Sequence, residues 1–266
     1  MAKKRAPRLL MESDITDMQI PGERLRALRE DDRFIVSYPR SGNRWLRMML
    51  RDVIVAGGPD IPAPSGLSAF IPDLHQCDPG GPVLEQFGVK ARILKSHNLR
   101  VIEGRPMIYL FRRAADALIS LYYFRLKHQP ARSGESTPSA EEFCRRATPG
   151  WIEHLTLALR ARDGCPTRTC FIAYEALHAA PVAALCRAVN FLGIDAGEDV
   201  VRTVIERNTF ERSRADVGNG AGPGTGPILR KGRVGSASED LRAESVQEIE
   251  RNTAALYEAA LVAASA

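Results

Sequence analysis

The chain has 266 residues, 37 of them Lys or Arg and 32 Asp or Glu, for a formal net charge of +5; 44% of residues are hydrophobic but only 6% aromatic. That length suits one large domain with a sizeable core, and the scarce aromatics speak against a nucleic-acid surface, where basic and stacking side chains interleave. The five cysteines, Cys77, Cys144, Cys165, Cys170 and Cys186, make no C-x-x-C pair and no Cys/His ligand spacing, so they read as free thiols of a reducing compartment and no metal is expected.

Residues 1–30 read as a leader with a helix near Glu23 to Arg29, and residues 31–266 as the domain proper. The basic start, Met1 to Arg8, is not followed by a signal-peptide apolar core, and no uncharged run approaches membrane-spanning length. A cytoplasmic protein without membrane insertion is the expectation. Phe34-Ile35-Val36 is a short β-branched apolar run that reads as a buried strand, broken by Pro39 and Gly42. From Trp45 onward, Trp45, Leu46, Met49, Leu50 and Val53 recur at helical spacing. A strand, a tight turn and a helix in that order aim free N–H groups and the positive end of a helix dipole at one point. Arg40, Ser41, Asn43 and Arg44 add side-chain donors, so the turn suits an anion; taken alone, it is also compatible with a structural turn carrying surface basic residues.

Gly57 to Pro82 is rich in Pro and Gly. A loop of that length reads as functional, with apolar residues and His75 walling a pocket, or as a surface linker. Ala91 to His97 is a strand ending in Lys95, Ser96 and His97, and in doubly wound sheets ligands sit beyond the carboxyl ends of strands. Met107 to Arg113 is a further strand running into a helix, Ala114 to His128, with Asp116 in its first turn and Ser120 two turns in. A polar insertion is expected over 129–150, then a helix through Trp151 and Leu155, a strand from Arg168 to Tyr174, and helices at Pro181 to Leu192 and Asp199 to Arg207. Val217 to Pro227 holds five glycines and two prolines and cannot build a core. The basic run Arg230-Lys231-Gly232-Arg233 follows it, and a last helix is expected from Ser238 to Ala264, opened by a good capping composition.

Tyr38-Pro39-Arg40-Ser41-Gly42-Asn43-Arg44-Trp45 resembles the 5′-phosphosulfate loop of the cytosolic-type sulfotransferases, Tyr-Pro-Lys-Ser-Gly-Thr-Thr-Trp, and lacks the Gly-Lys-Ser/Thr of nucleotide-triphosphate loops. Lys95-Ser96-His97 resembles that family's Lys-Thr-His. Arg112, Asp116, Ser120, Tyr122 and Phe124 resemble its Arg-x-x-x-Asp-x-x-x-Ser-x-Tyr-x-Phe block. Tyr174-Glu175-Ala176-Leu177 is similar to its Tyr-Glu-Asp-Leu, and Thr209-Phe210 to its Ser-Phe, with Asn208 in place of Thr. Arg230-Lys231-Gly232 is similar to the start of its Arg-Lys-Gly-x-x-Gly-Asp-Trp signature, with Ser236 and Ala237 in place of the Asp and Trp.

The resemblance implies a single α/β domain, its central parallel sheet flanked by helices in the P-loop nucleotide-kinase-like sulfotransferase fold, with a mobile lid at about 215–236. It implies sulfonate transfer from 3′-phosphoadenosine 5′-phosphosulfate (PAPS), leaving PAP, to a hydroxyl of a small-molecule, glycan or lipid acceptor. His97 would be the general base, with Lys95 and Arg40 at the sulfonate and leaving phosphate. Arg40, Ser41, Gly42, Asn43, Arg44, Trp45, Arg112, Ser120, Tyr174, Asn208, Phe210, Arg230, Lys231 and Gly232 would hold the nucleotide. Nucleic acid and metal are not expected, and a homodimer is left open. A kinase-like ATP phosphotransferase and a non-enzymatic polyanion binder are the alternatives.

Overall fold

Four short strands, β1 (Arg33–Ser37), β2 (Ile93–Ser96), β3 (Met107–Phe111) and β4 (Thr169–Ala173), form one parallel sheet in the order β2-β1-β3-β4. A computed structural model describes residues 19–64, 66–81, 83–102, 104–128, 137–208 and 232–265. All but the first residues of β1 and β4 are buried, as a parallel sheet covered on both faces requires. Successive side chains leave a strand on opposite faces, and this alternation sorts the core into two layers. Phe34, Val36, Leu94, Tyr109, Phe111 and Phe171 face one layer, and Ile35, Ile93, Ile108, Leu110 and Ile172 the other.

The helices, in chain order, are α1 (Gly22–Arg26), α2 (Asn43–Gly57), α3 (Leu67–Phe70), α4 (Ala114–His128), α5 (Ala140–Gly164), α6 (Tyr174–Ala179), α7 (Pro181–Phe191), α8 (Glu198–Arg207) and α9 (Ala243–Ser265). Residues of α4, α5 and α9 fill the first layer and those of α2, α7 and α8 the second. Trp151 of α5 is 2% exposed and Leu50 of α2 fully buried; each such large side chain contributes about 1.5–3 kcal/mol by leaving water.

Two boundaries depart from the sequence reading. The expected insertion over 129–150 is helical from Ala140, where Ser139 caps α5 by accepting the Glu142 N–H at 3.1 Å. Pro149 lies inside this helix, and the Thr148 hydroxyl donates to the Cys144 carbonyl at 2.8 Å within the same stretch. The last helix starts at Ala243 rather than Ser238, because Ser236–Glu239 closes as a 3₁₀ turn after Gly235 in the left-handed region. No described helix is long and apolar enough to cross a membrane.

The segment after α2 is not a free linker. Pro72 and Leu74 hydrogen-bond the main chain of Lys95, and Asp73 bridges to it in parallel, so a short piece of the Pro/Gly-rich connection is laid against β2.

Candidate active site

Each strand ends in residues that the sequence singles out. β1 runs into the turn Tyr38–Gly42, β2 into His97, β3 into Arg112, and β4 into Tyr174. The strand order reverses at β1, so these ends lie side by side along the edge where doubly wound sheets bind their ligands.

The turn after β1 is shaped by two left-handed residues, Arg40 at φ 70° and Gly42 at φ 98°. A β-carbon at Gly42 would lie 2.5 Å from a Tyr174 ring carbon, so glycine is required there for space as well as conformation. α2 starts at Asn43, leaving its first N–H groups open at the turn. Asn43 donates to the Ser37 hydroxyl at 3.2 Å. The buried Ser41 Oγ, Asn43 Oδ1, Arg44 Nε and Arg112 Nε find no hydrogen-bond partner among the described residues. Buried polar atoms are normally paired, and this set of mostly donor atoms fits an anion with several oxygens.

Arg112 meets the turn from β3. Its guanidinium donates to the Arg40 carbonyl at 3.3 Å and the Arg233 carbonyl at 3.0 Å, and lies 4.3 Å over the Tyr174 ring centroid. Its own carbonyl accepts from Trp151 Nε1 at 3.2 Å. The Arg40 side chain donates from Nε to Ser120 Oγ at 3.2 Å and stacks over Phe124. Arg40, Arg112 and Ser120 therefore form one cluster.

Trp45 is anchored from two sides. Its Nε1 donates to the Asn208 carbonyl at 3.1 Å, and its ring meets Tyr174 and His178. Asn208 is tied in turn to Asp52 of α2 through a 2.8 Å bond. Arg233, next to Gly232, reaches the cluster through its carbonyl on Arg112. Phe210, Arg230 and Lys231, and residues 215–231 of the lid expected at about 215–236, lie outside the described residues.

His97 Nδ1 is 2.7 Å from the Ser37 carbonyl. A carbonyl only accepts, so the proton is on Nδ1 and Nε2 carries the lone pair. Burial and the Lys95 cation hold its pKa well below the ordinary histidine value. Lys95 faces Asp73, with Nζ 2.8 Å from Oδ2 and both side chains buried. Burial lowers the Lys95 pKa to about 8 against the pull of Asp73. The contacts of Lys95 are thus with the 72–77 segment, and those of Arg40 with α4.

Two groups in this region, Asp73 and His154, escaped the sequence reading, and a third, Asp116, has a larger part than that reading gave it. Asp73, 22 residues from Lys95 in sequence, carries no motif that pairs the two. His154 of α5 is fully buried; it donates from Nε2 to the His97 carbonyl at 2.8 Å and accepts from the Tyr109 hydroxyl at 2.7 Å. A signal for it existed, since His154 falls on the apolar stripe of Trp151, Leu155 and Ala158. Asp116 does more than complement a helix dipole: its carboxylate accepts from the N–H groups of Gly235 and Ala237, both at 2.8 Å, and so holds the turn that stands where the resembled family has Gly-Asp-Trp.

The sulfotransferase domain family matches residues 30–259. Sulfotransferase 4A1 of Mus musculus is 26% identical over 192 residues, covering 67% of this chain and 66% of that protein, so the chain spans just under two thirds of that relative's length. Sulfotransferase 1 family member D1 of Rattus norvegicus is 24% identical over 204 residues, covering 71% and 68%. In three dimensions the chain is similar to mouse sulfotransferase SULT7A1 complexed with PAP, with a TM-score of 0.63, 20% identity and coverage of 93% of this chain and 95% of that one. It is also similar to retinol dehydratase in a complex with retinol and PAP, with a TM-score of 0.62, 18% identity and coverage of 92% and 84%. The parallel sheet, the order of the motifs along the chain and a match running through nearly all of the described residues agree, and the chain belongs to the sulfotransferase domain family.

Proposed function

We propose that the chain transfers the sulfonate group of PAPS to a hydroxyl of a small molecule, releasing PAP. The observation that carries this is the joining of His97 to the turn: its Nδ1–H is held by Ser37, the last residue of β1, immediately before the anion-shaped stretch Tyr38 to Trp45. A base with a free lone pair and an anion cradle thereby share one strand end.

The unpartnered Ser41, Arg44 and Arg112 atoms suit the phosphates of the donor, with Arg112 and Ser120 at the 3′-phosphate and Trp45 and Tyr174 beside the adenine. Gly42 lets the main chain approach closely, and Asn208 acts through Trp45. Gly232, with Phe210, Arg230 and Lys231 from the neighbouring stretch, completes the nucleotide side. An alcohol is a weak nucleophile at neutral pH, so its proton must leave as the bond to sulfur forms. His97 Nε2 takes that proton, the acceptor oxygen bonds to sulfur, and the bond from sulfur to the phosphate oxygen breaks, its electron pair leaving with PAP. Arg40 and Lys95 offset the charge on the sulfonate and departing phosphate. Arg40 keeps its proton throughout.

Structures of retinol dehydratase hold retinol or androsterone together with PAP, which supports a small-molecule acceptor. The test is transfer from labelled PAPS to a panel of phenols, alcohols, sugars and lipids, read by mass spectrometry. His97→Ala is expected to abolish transfer and keep PAP affinity; Arg112→Ala is expected to weaken PAP more than adenosine 5′-phosphate. Undiminished turnover by the first variant removes His97 from the chemistry, and equal losses for the two nucleotides remove Arg112 from the 3′-phosphate.

A further inference from the structure

Both main-chain polar groups of His97 are bonded by other imidazoles. Its N–H donates to His75 Nε2 at 3.0 Å, and its C=O accepts from His154 Nε2 at 2.8 Å. The His75 and His97 rings also stack, with centroids 5.8 Å apart and planes 23° apart. Three of the chain's five histidines therefore meet at one residue, just past the end of β2.

We propose that His75 is a positioning residue for His97: by accepting the His97 main-chain N–H and stacking on its ring, it holds the imidazole with Nδ1 on Ser37 and Nε2 free. The inference rests on the reading of His97 as the base. His75 can fill this part because its own segment is rigid. The Asp73 carboxylate accepts the His75 N–H at 3.1 Å, and Pro72 and Leu74 are bonded to Lys95 on β2. An Nε2 that accepts must be unprotonated. The groups around it are Asp73 on its own segment, Lys95 and Ser96 from β2, His97 just beyond it, Arg24 of α1 and the main chain at Gln19. Burial, with the Lys95 cation, pulls the His75 pKa to about 4, so the acceptor persists at neutral pH.

Loss of the acceptor leaves a partly buried N–H unpaired, and such a group moves toward water. The 2.7 Å bond to Ser37 depends on where this main chain sits. Once that bond lengthens, nothing favours the Nδ1–H tautomer, and a proton on Nε2 occupies the lone pair that the reaction needs.

The test compares His75→Phe, which keeps a stacking ring without the acceptor, with His75→Gln, which restores an accepting oxygen. ¹⁵N-labelled histidine spectra with PAP bound report the His97 tautomer and need no sulfate acceptor; His97→Ala assigns the signal. Transfer is measured with the panel hydroxyl compound that turns over fastest. His75→Phe is expected to move His97 off the pure Nδ1–H signature and to lower the transfer rate at saturating donor by about a hundredfold, the effect of misplacing a reacting group by about 1 Å. PAP affinity is expected to stay unchanged, and His75→Gln to recover both tautomer and rate. Wild-type tautomer and rate in His75→Phe overturn the proposal, as does a His75→Gln variant that melts like wild type but is as impaired as the Phe variant. The two readings fail separately. Transfer surviving in His97→Ala defeats the base assignment and leaves the tautomer signal to judge the clamp, whereas an inactive His97→Ala beside an unaffected His75→Phe defeats the clamp alone.

Discussion

Replacing Asp73 by Asn removes the counter-charge of Lys95 while keeping an oxygen that can accept the His75 N–H. Breaking a buried ion pair ordinarily costs about 3–5 kcal/mol, because one charge is left without compensation. Here the loss depends on pH, since Lys95 titrates at about 8 in the folded protein instead of 10.5. Above pH 8 the folded wild type already holds Lys95 largely neutral, and the variant loses little more than a hydrogen bond, about 1 kcal/mol. Below pH 8 the wild type keeps the proton on Lys95 with Asp73 opposite, whereas the variant's lysine is pushed further down. Each pH unit then adds about 1.4 kcal/mol to the difference until the variant's lysine is itself charged. The sign follows from linkage: below pH 8 the folded variant binds fewer protons than the folded wild type, so its relative stability falls as pH falls. The wild type's own stability rises with pH between 8 and 10.5, where the unfolded chain binds the extra proton. Urea denaturation of both proteins at about pH 8.5 and about pH 6 is expected to give a destabilisation of about 1 kcal/mol at the higher pH and about 4 kcal/mol at the lower. A pH-independent difference, or a larger one at the alkaline end, would refute the reasoning.

Gly42→Ala combines a left-handed backbone with a β-carbon 2.5 Å from the Tyr174 ring; a loss of about 2–4 kcal/mol and weaker PAP binding are expected, and an unchanged melting temperature would contradict the geometry. Asp116→Ala orphans the Gly235 and Ala237 N–H groups and removes the carboxylate 3.7 Å from the buried Arg112; about 3 kcal/mol should be lost, along with affinity for PAP in titration calorimetry. Burial lowers the His154 pKa from 6.5 to about 4. Its folded form stays neutral while the unfolded form takes up a proton, so a contribution of about 3 kcal/mol is complete above pH 6.5 and is lost as pH falls toward 4. His154→Gln should flatten the acid side of the stability curve, and an unaltered slope would exclude His154 as its source.

The elements with strong local signals were legible in the sequence. β1 and its turn, the strand ends carrying His97 and Arg112, and the helix Ala114–His128 follow from apolar runs, breakers and helical spacing. Arg40, Arg112 and Ser120 were identified by motif, and the fold brings them into one cluster. What escaped depends on distant parts of the chain. Nothing local to Asp73 indicates that Pro72 will bond the main chain of Lys95, and that contact turns an apparent loop acid into the partner of Lys95. The late start of α9 has the same origin: Ser238-Glu239-Asp240 is a sound helix opening, but Asp116, far back in the sequence, captures the preceding N–H groups and fixes a tighter turn. The polar composition over 129–150 pointed to an irregular segment, yet α5 runs through Pro149 because Phe143, Trp151 and Leu155 bury the helix on the sheet.

The bridge between Asp73 and β2 divides the long connection after α2 into two parts with different freedom. From Phe70 to Leu74 every residue is buried, whereas residues 59–63 lie exposed. Changes of length or sequence in the outer part leave the inner part in register with the sheet. A lineage that diversifies this stretch, or an engineer who transplants another into it, inherits the pairing with Lys95 intact.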